Sequence, residues 1–304
     1  MRPRRFGKTF FQTLLRAYYD RAASADFELN FQGTYIAGTP TEERNALYVL
    51  LINCHCPDSG CRLKESLATL WRRTFLAFER YYPGSIPAEL ICFSPNAQCP
   101  VGDYLTKCFD SLPDAVRSRL CLLIDDYDAG VRAIERQSDN AEEKRAEWAA
   151  MLEVIRNTTA TGALRRVFIT TGTPNGREGL DFAKDIPQDR VFSDIMGFTE
   201  RELRDLIQRT IDLKRCRSTE EALCRQLAET DKKFDFNSIT NKSVLPPSVC
   251  LFYLNAWQRT QQPSQLPFES MNHIDSHYVI ETKLKSSFVL APIIELTQNC
   301  PPLR

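Results

Sequence analysis

The chain has 304 residues, of which 43% are hydrophobic and 26% charged. That length suits one large domain or two ordinary ones with a sizeable core, and the composition excludes a disordered or fibrous chain. Lys plus Arg total 39 and Asp plus Glu total 39, so a net charge of zero excludes nucleic-acid or membrane binding through bulk charge and leaves only local patches.

The N-terminal MRPRRFGKTFFQTLLRAYYD is basic and then apolar, as a leader would be. Lys8, Gln12 and Arg16 interrupt the apolar part and no small-residue cleavage site follows, so export is not expected. Phe11, Leu14, Leu15 and Tyr18 recur at helical spacing directly after Gly7-Lys8-Thr9. Residues 47–52 (LYVLLI) predict a strand buried on both faces. Leu63, Leu67, Leu70, Trp71, Phe75 and Phe78 mark one face of a helix. Residues 120–124 (LCLLI) predict a second buried strand, ending in Asp125-Asp126. A charged helix over 140–157 turns Trp148, Met151, Leu152 and Ile155 inward, and residues 167–170 form a third strand before a Gly- and Pro-containing loop over 172–179. Buried strands separated by helices predict an α/β fold with a parallel sheet.

From Phe198 the character changes. Thr199 with Glu202 forms a capping box ahead of Leu203, Leu206, Ile207 and Ile211, and Ser218 with Glu221 repeats the device. Pro246-Pro247 opens a helix carrying Leu251, Tyr253, Leu254 and Trp257, and another helix is expected over 278–284. Residues 1–197 therefore read as an α/β domain and 198–304 as a mainly helical C-terminal subdomain, with 261–267 as a flexible loop. No window supplies the roughly 18 apolar residues of a membrane helix. The 11 cysteines are odd in number in a large chain, which favours reduced thiols and an intracellular place, cytoplasm or nucleus.

Gly7-Lys8-Thr9 at a helix start is half of a phosphate-binding loop. The helix end presents backbone N–H groups and a positive dipole end, Lys8 would reach the β- and γ-phosphates, and the Thr9 hydroxyl would bind Mg²⁺. The full pattern also wants a Gly where Arg2 stands. LCLLIDD sets two carboxylates at the tip of a buried strand, where Asp125 can hold Mg²⁺ through water and Asp126 can polarise an attacking water; the plainer alternative is a solvated loop and a helix cap. In VFITT, Thr170 or Thr171 can sense a γ-phosphate, with Thr171 preferred, although Thr is also an ordinary strand former.

RPRRFGKT, LLIDDYDAG, VFITTGTP and GFTERELRDLI resemble the AAA-ATPase-like family of P-loop proteins, over about residues 2–285. Its members show an RPRRFGKS-type loop, a strand ending in I-D-E-Y-D, a strand ending near T-G, and then G-F-T-x-x-E; the first Gly of the loop is usually absent there too. The resemblance implies ATP and Mg²⁺ as cofactors. It implies cofactor binding at Arg5, Phe6, Gly7, Lys8 and Thr9, metal binding at Thr9 and Asp125, and catalysis at Asp126 with Thr171. Some relatives carry a restriction-like nuclease domain or are linked to Crinkler-type effectors, so nucleic acid enters as a partner by family association alone; a protein partner or a second copy would supply an arginine, with Arg165, Arg166 and Arg190 as donors.

Two departures from the family shape the expected activity. Asp126 stands where the family has Glu, which sets the carboxylate back by about 1.5 Å and can cost about 100-fold in rate, so ATP binding with slow hydrolysis is expected. The strand ahead of the phosphate loop is missing, which reads as an N-terminally truncated fragment or a mis-started gene, and its absence is expected to leave ladder edges beside the acid-tipped strand unpaired. The alternative function is a catalytically inactive remnant serving as an interaction module. Cys54, His55, Cys56 and Cys61 lack zinc-finger spacing, and Glu281-Thr282-Lys283 lacks a suitably placed acid, Asp275 being too close, so neither zinc nor nuclease chemistry is expected.

Overall fold

The computed structural model describes residues 6–54, 67–92, 100–129, 132, 141–172, 179–186, 192, 196–230, 234–235 and 243–260. The chain divides into two compact units, one of Met1–Arg2, Gln12–Asn30 and Pro40–Lys184, the other of Pro3–Phe11, Phe31–Thr39 and Asp185–Arg304.

The first unit is an α/β layer structure. Helix α1 (Lys8–Tyr19) contributes its residues from Gln12 onward, and the sheet has three parallel strands in the order β1 (Tyr48–Asn53), β2 (Leu120–Asp125) and β3 (Arg166–Ile169). Tyr48 lies opposite Leu120 and Asn53 opposite Asp125; Cys121 lies opposite Arg166 and Ile124 opposite Ile169. The two-residue period of a strand sends alternate side chains to opposite faces. Leu50, Ile52, Leu122 and Ile124 join the larger core, and Val49, Cys121 and Leu123 pack on the other face with Leu15, Tyr19 and Phe168. Every residue of β2 is buried, as expected of a central strand.

Two expectations for this sheet are corrected. β1 is buried on both faces only in part: Val49 packs on one face and Leu50 and Ile52 on the other, but Leu51 is 40% exposed and Asn53 is exposed, β1 being an outer strand among the described residues. The acid-tipped strand does not have an unpaired edge, since β1 and β3 occupy both of its sides.

Helices α2 (Leu67–Tyr81), α3 (Val101–Ser111) and α4 (Ala141–Ala160) supply the larger core. Leu67, Trp71, Phe75 and Phe78 of α2 are buried on one face, as their spacing predicts, and the Trp71 indole Nε1 donates to Met151 Sδ of α4 at 3.2 Å. Leu63 lies outside the described residues. Trp148, Met151, Leu152 and Ile155 of α4 are buried as expected. α3 is a helix that the apolar spacing did not predict; it ends where Leu112 turns extended ahead of Pro113, a geometry the following ring favours.

The second unit pairs helices with a small antiparallel sheet. In chain order it contains β4 (Phe198–Thr199), α5 (Glu200–Thr210), α6 (Glu220–Thr230), β5 (Phe234–Asp235), β6 (Ser243–Leu245) and α7 (Pro247–Thr260), with sheet order β4-β6-β5. The capping box at α5 is present: Thr199 accepts from the Glu202 amide and the Glu202 carboxylate accepts from the Thr199 amide. At α6 the cap is Thr219 and not Ser218, because the Ala222 amide donates to Thr219 Oγ1 at 3.2 Å. Pro247 opens α7 at its first position, and Tyr253, Leu254 and Trp257 are buried. Residues 261–267 and 278–284 lie outside the described residues. No helix among the described residues is long and apolar enough to cross a membrane.

Candidate functional site

The acid-tipped strand ends in a turn cross-linked to the exit of β3. Asp125 is nearly fully buried, and its Oδ1 accepts from the Thr170 hydroxyl at 2.5 Å. The Asp126 amide donates to Asp125 Oδ1 and to Thr170 Oγ1, each at 3.1 Å, and the Tyr127 amide donates to the Thr170 carbonyl at 3.0 Å. Asp128 is fully buried; its Oδ1 accepts from the Gly172 amide at 2.8 Å and its Oδ2 pairs with Arg132. The Tyr127 ring meets Trp148 edge-to-face at 5.0 Å, which fixes the turn against α4. Residues 125–128 and 170–172 are therefore stitched together at the carboxyl ends of two adjacent parallel strands, the position where α/β sheets bind ligands.

Asp126 has φ +49°, in the left-handed region that Asp tolerates better than most residues. Strain of this kind gathers where a side chain must be aimed. Cys54 begins the loop after β1, and its amide donates to the Asp125 carbonyl at 2.9 Å. Burial pushes its thiol well above the ordinary value, and the nearby carboxylates of Asp125, Asp126 and Asp128 push it further. It is a protonated packing residue here. Among the described residues no cluster of His, Cys, Asp and Glu could hold a metal by itself; His55, Cys56 and Cys61 lie outside them.

Gly7 is the cap of α1, with φ +72° and its carbonyl accepting from the Phe11 amide at 2.8 Å. An added Cβ would meet only Phe10 Cβ, at 4.0 Å, so the backbone angle and not space requires glycine. The first turn of α1 contains no acidic residue, so no carboxylate of its own occupies the positive end of the helix dipole. Lys8 is buried and Thr9 partly so. Phe6 is fully buried within the second unit, its ring edge near Gly197 of the same unit. Arg5 and Arg190 lie outside the described residues.

The structure thus joins Asp125, Asp126 and Thr170, and Thr171 follows one residue on, also buried. Of the two threonines, the one bonded to the acid pair is Thr170. Gln12 and Asp128 were missed. Gln12 read only as an interruption of the apolar pattern, yet it is 2% exposed and its Nε2 donates to the Ile124 carbonyl at 2.7 Å. Arg165 and Arg166 stand at the opposite, amino end of β3, both on the Glu43 carboxylate. A groove lined by Phe109, Asp110, Asp114, Arg117, Val154 and Thr158 between α3 and α4 contains none of the residues of this constellation.

The family model described as "Predicted AAA-ATPase" matches residues 1–180. The chain belongs to the AAA-ATPase-like family. No curated protein and no solved structure matches the chain. Membership in this family points to nucleotide binding, and the matched span contains both the Gly7-Lys8-Thr9 helix start and the acid-tipped strand with its threonine partner.

Proposed function

We propose that this AAA-ATPase-like protein binds ATP with Mg²⁺ and hydrolyses it slowly. Backbone amides at the start of α1, Lys8 and Thr9 would take the phosphates, with Arg5 and Phe6 flanking them. Thr9 and Asp125 would hold the metal, whose chemistry is to neutralise phosphate charge. The observation that carries this reading is the buried carboxylate of Asp125, held by the Thr170 hydroxyl at the end of a central parallel strand. A carboxylate removed from water is costly unless it meets hydrogen-bond donors or a cation, and the donor set suits a hard, hydrated ion.

Asp126 would orient water toward the terminal phosphate, and Thr170 holds the two acids in register while Thr171 remains the proposed γ-phosphate contact. Arg165 and Arg166, at the far end of β3, would serve only in trans, across a second copy or a protein partner. The buried cysteines Cys54, Cys108, Cys121, Cys216, Cys224 and Cys250, none of them in a disulfide among the described residues, accord with a reducing, intracellular setting.

Titration with a fluorescent ATP analogue tests the reading. Binding that weakens at least tenfold in Lys8→Ala supports it, and equal affinity for wild type and Lys8→Ala refutes it. The second reading, an inactive interaction module that cannot hold nucleotide, is favoured by the short carboxylate of Asp126 and predicts no binding.

A further inference from the structure

We infer that Gln12 is the positioning residue that ties α1 to the metal-side carboxylate; this rests on the nucleotide reading above. Gln12 Nε2 donates to the Ile124 carbonyl at 2.7 Å and to Thr170 Oγ1 at 3.4 Å, and Thr170 in turn donates to Asp125 Oδ1 at 2.5 Å. Amide, hydroxyl and carboxylate form one series. Its direction is fixed, because a flipped amide would set Gln12 Oε1 against the carbonyl oxygen of Ile124.

The other end of the same amide supplies the independent observation. Gln12 Oε1 is buried and has no hydrogen-bond partner among the described residues. An orphaned buried acceptor is costly, and a Leu or Met on this inward face of α1 would avoid that cost. The amide suits a site that delivers a donor to Oε1, and the waters carried by a hydrated Mg²⁺ are such donors. Gln12 follows Lys8 by one helical turn, so both project from the same side of α1.

The test titrates N-methylanthraniloyl-ATP against the full-length chain, in EDTA and across a Mg²⁺ series. Gln12→Met is expected to keep the EDTA affinity within about twofold and to need about tenfold more Mg²⁺ for the same tightening. Gln12→Leu, which removes the same amide, is expected to behave as Gln12→Met does. Adding Gln12→Met to Thr170→Val is expected to cost nothing beyond Thr170→Val alone, which a purely structural role would not produce. An unchanged Mg²⁺ requirement in Gln12→Met overturns the assignment, as do additive effects in the double mutant. Should Gln12→Met not fold, an unchanged Mg²⁺ requirement in Gln12→Leu overturns it instead. Wild type that binds no nucleotide in EDTA or Mg²⁺ refutes the nucleotide reading and this assignment with it; Lys8-dependent binding with a Gln12-independent Mg²⁺ response refutes this assignment alone.

Discussion

Replacing Thr170 with Val tests whether the acid turn is held by its hydroxyl. Thr170 is 4% exposed and Asp125 2% exposed, so no water replaces the lost group. Valine fills nearly the same volume but removes the 2.5 Å hydrogen bond to the Asp125 carboxylate. A hydrogen bond to a charged group contributes about 1.5–3 kcal/mol. The Asp126 amide also loses one acceptor but keeps Asp125 Oδ1, which limits the further cost. The expected destabilisation of the first unit is therefore about 2–3 kcal/mol. Thr170→Ser keeps the hydroxyl and loses only a methyl group, worth about 0.8 kcal/mol. Urea unfolding read by tryptophan fluorescence separates them, with Trp257 replaced by Phe so that Trp71 and Trp148 report on the first unit. At a slope of about 2 kcal/mol per molar, Thr170→Val should lower the midpoint by about 1–1.5 M and Thr170→Ser by less than about half of that. Equal midpoints for the two variants would show that the hydroxyl does not hold the turn.

Three further outcomes follow from the same structure. Asp126→Asn tolerates the φ of +49° as Asp does, so its unfolding midpoint should match wild type while ATP turnover, measured as phosphate release, falls to background and fluorescent-ATP affinity stays within about threefold. Gly197→Ala would place a Cβ 2.6 Å from Val244 Cβ and Cγ2 and 3.3 Å from the Phe6 ring; overpacking of this kind costs about 1–3 kcal/mol, and calorimetry should show the loss in the second unit. Burial, with Glu43 adding to it and Arg166 opposing it, pushes the Cys121 thiol up to about 12. Below the ordinary thiol value, folded and unfolded chains hold the same proton. Above it the unfolded chain releases a proton that the folded chain keeps, so stability falls as pH rises toward 12, by up to about 1.4 kcal/mol per unit; Cys121→Ala should flatten that slope in urea midpoints taken from pH 8 to 11.

The sequence by itself determined the elements whose signal is local. The all-apolar run of β2 means burial on both faces wherever the strand sits, and it is the central strand. The stripe Leu67, Trp71, Phe75 and Phe78 has one solution as a helix face, and the Thr199–Glu202 box closes within four residues. The family too was legible, and the family model matches residues 1–180, the span that holds the first three of the four motif blocks. Tertiary structure alone decided which neighbours the strands take. A parallel pair joins segments far apart in the chain, so nothing near LCLLIDD says that both of its edges are paired or that LYVLLI lies outermost with Leu51 exposed. The same holds for the polar residues. Gln12 bonds a carbonyl 112 positions away and Thr170 a carboxylate 45 positions away, so amphipathic spacing marks Gln12 as a flaw and gives no reason to choose Thr170 over Thr171. Hydrophobic period encodes which face turns inward, whereas a hydrogen bond across the fold is fixed only when the backbone has brought donor and acceptor together.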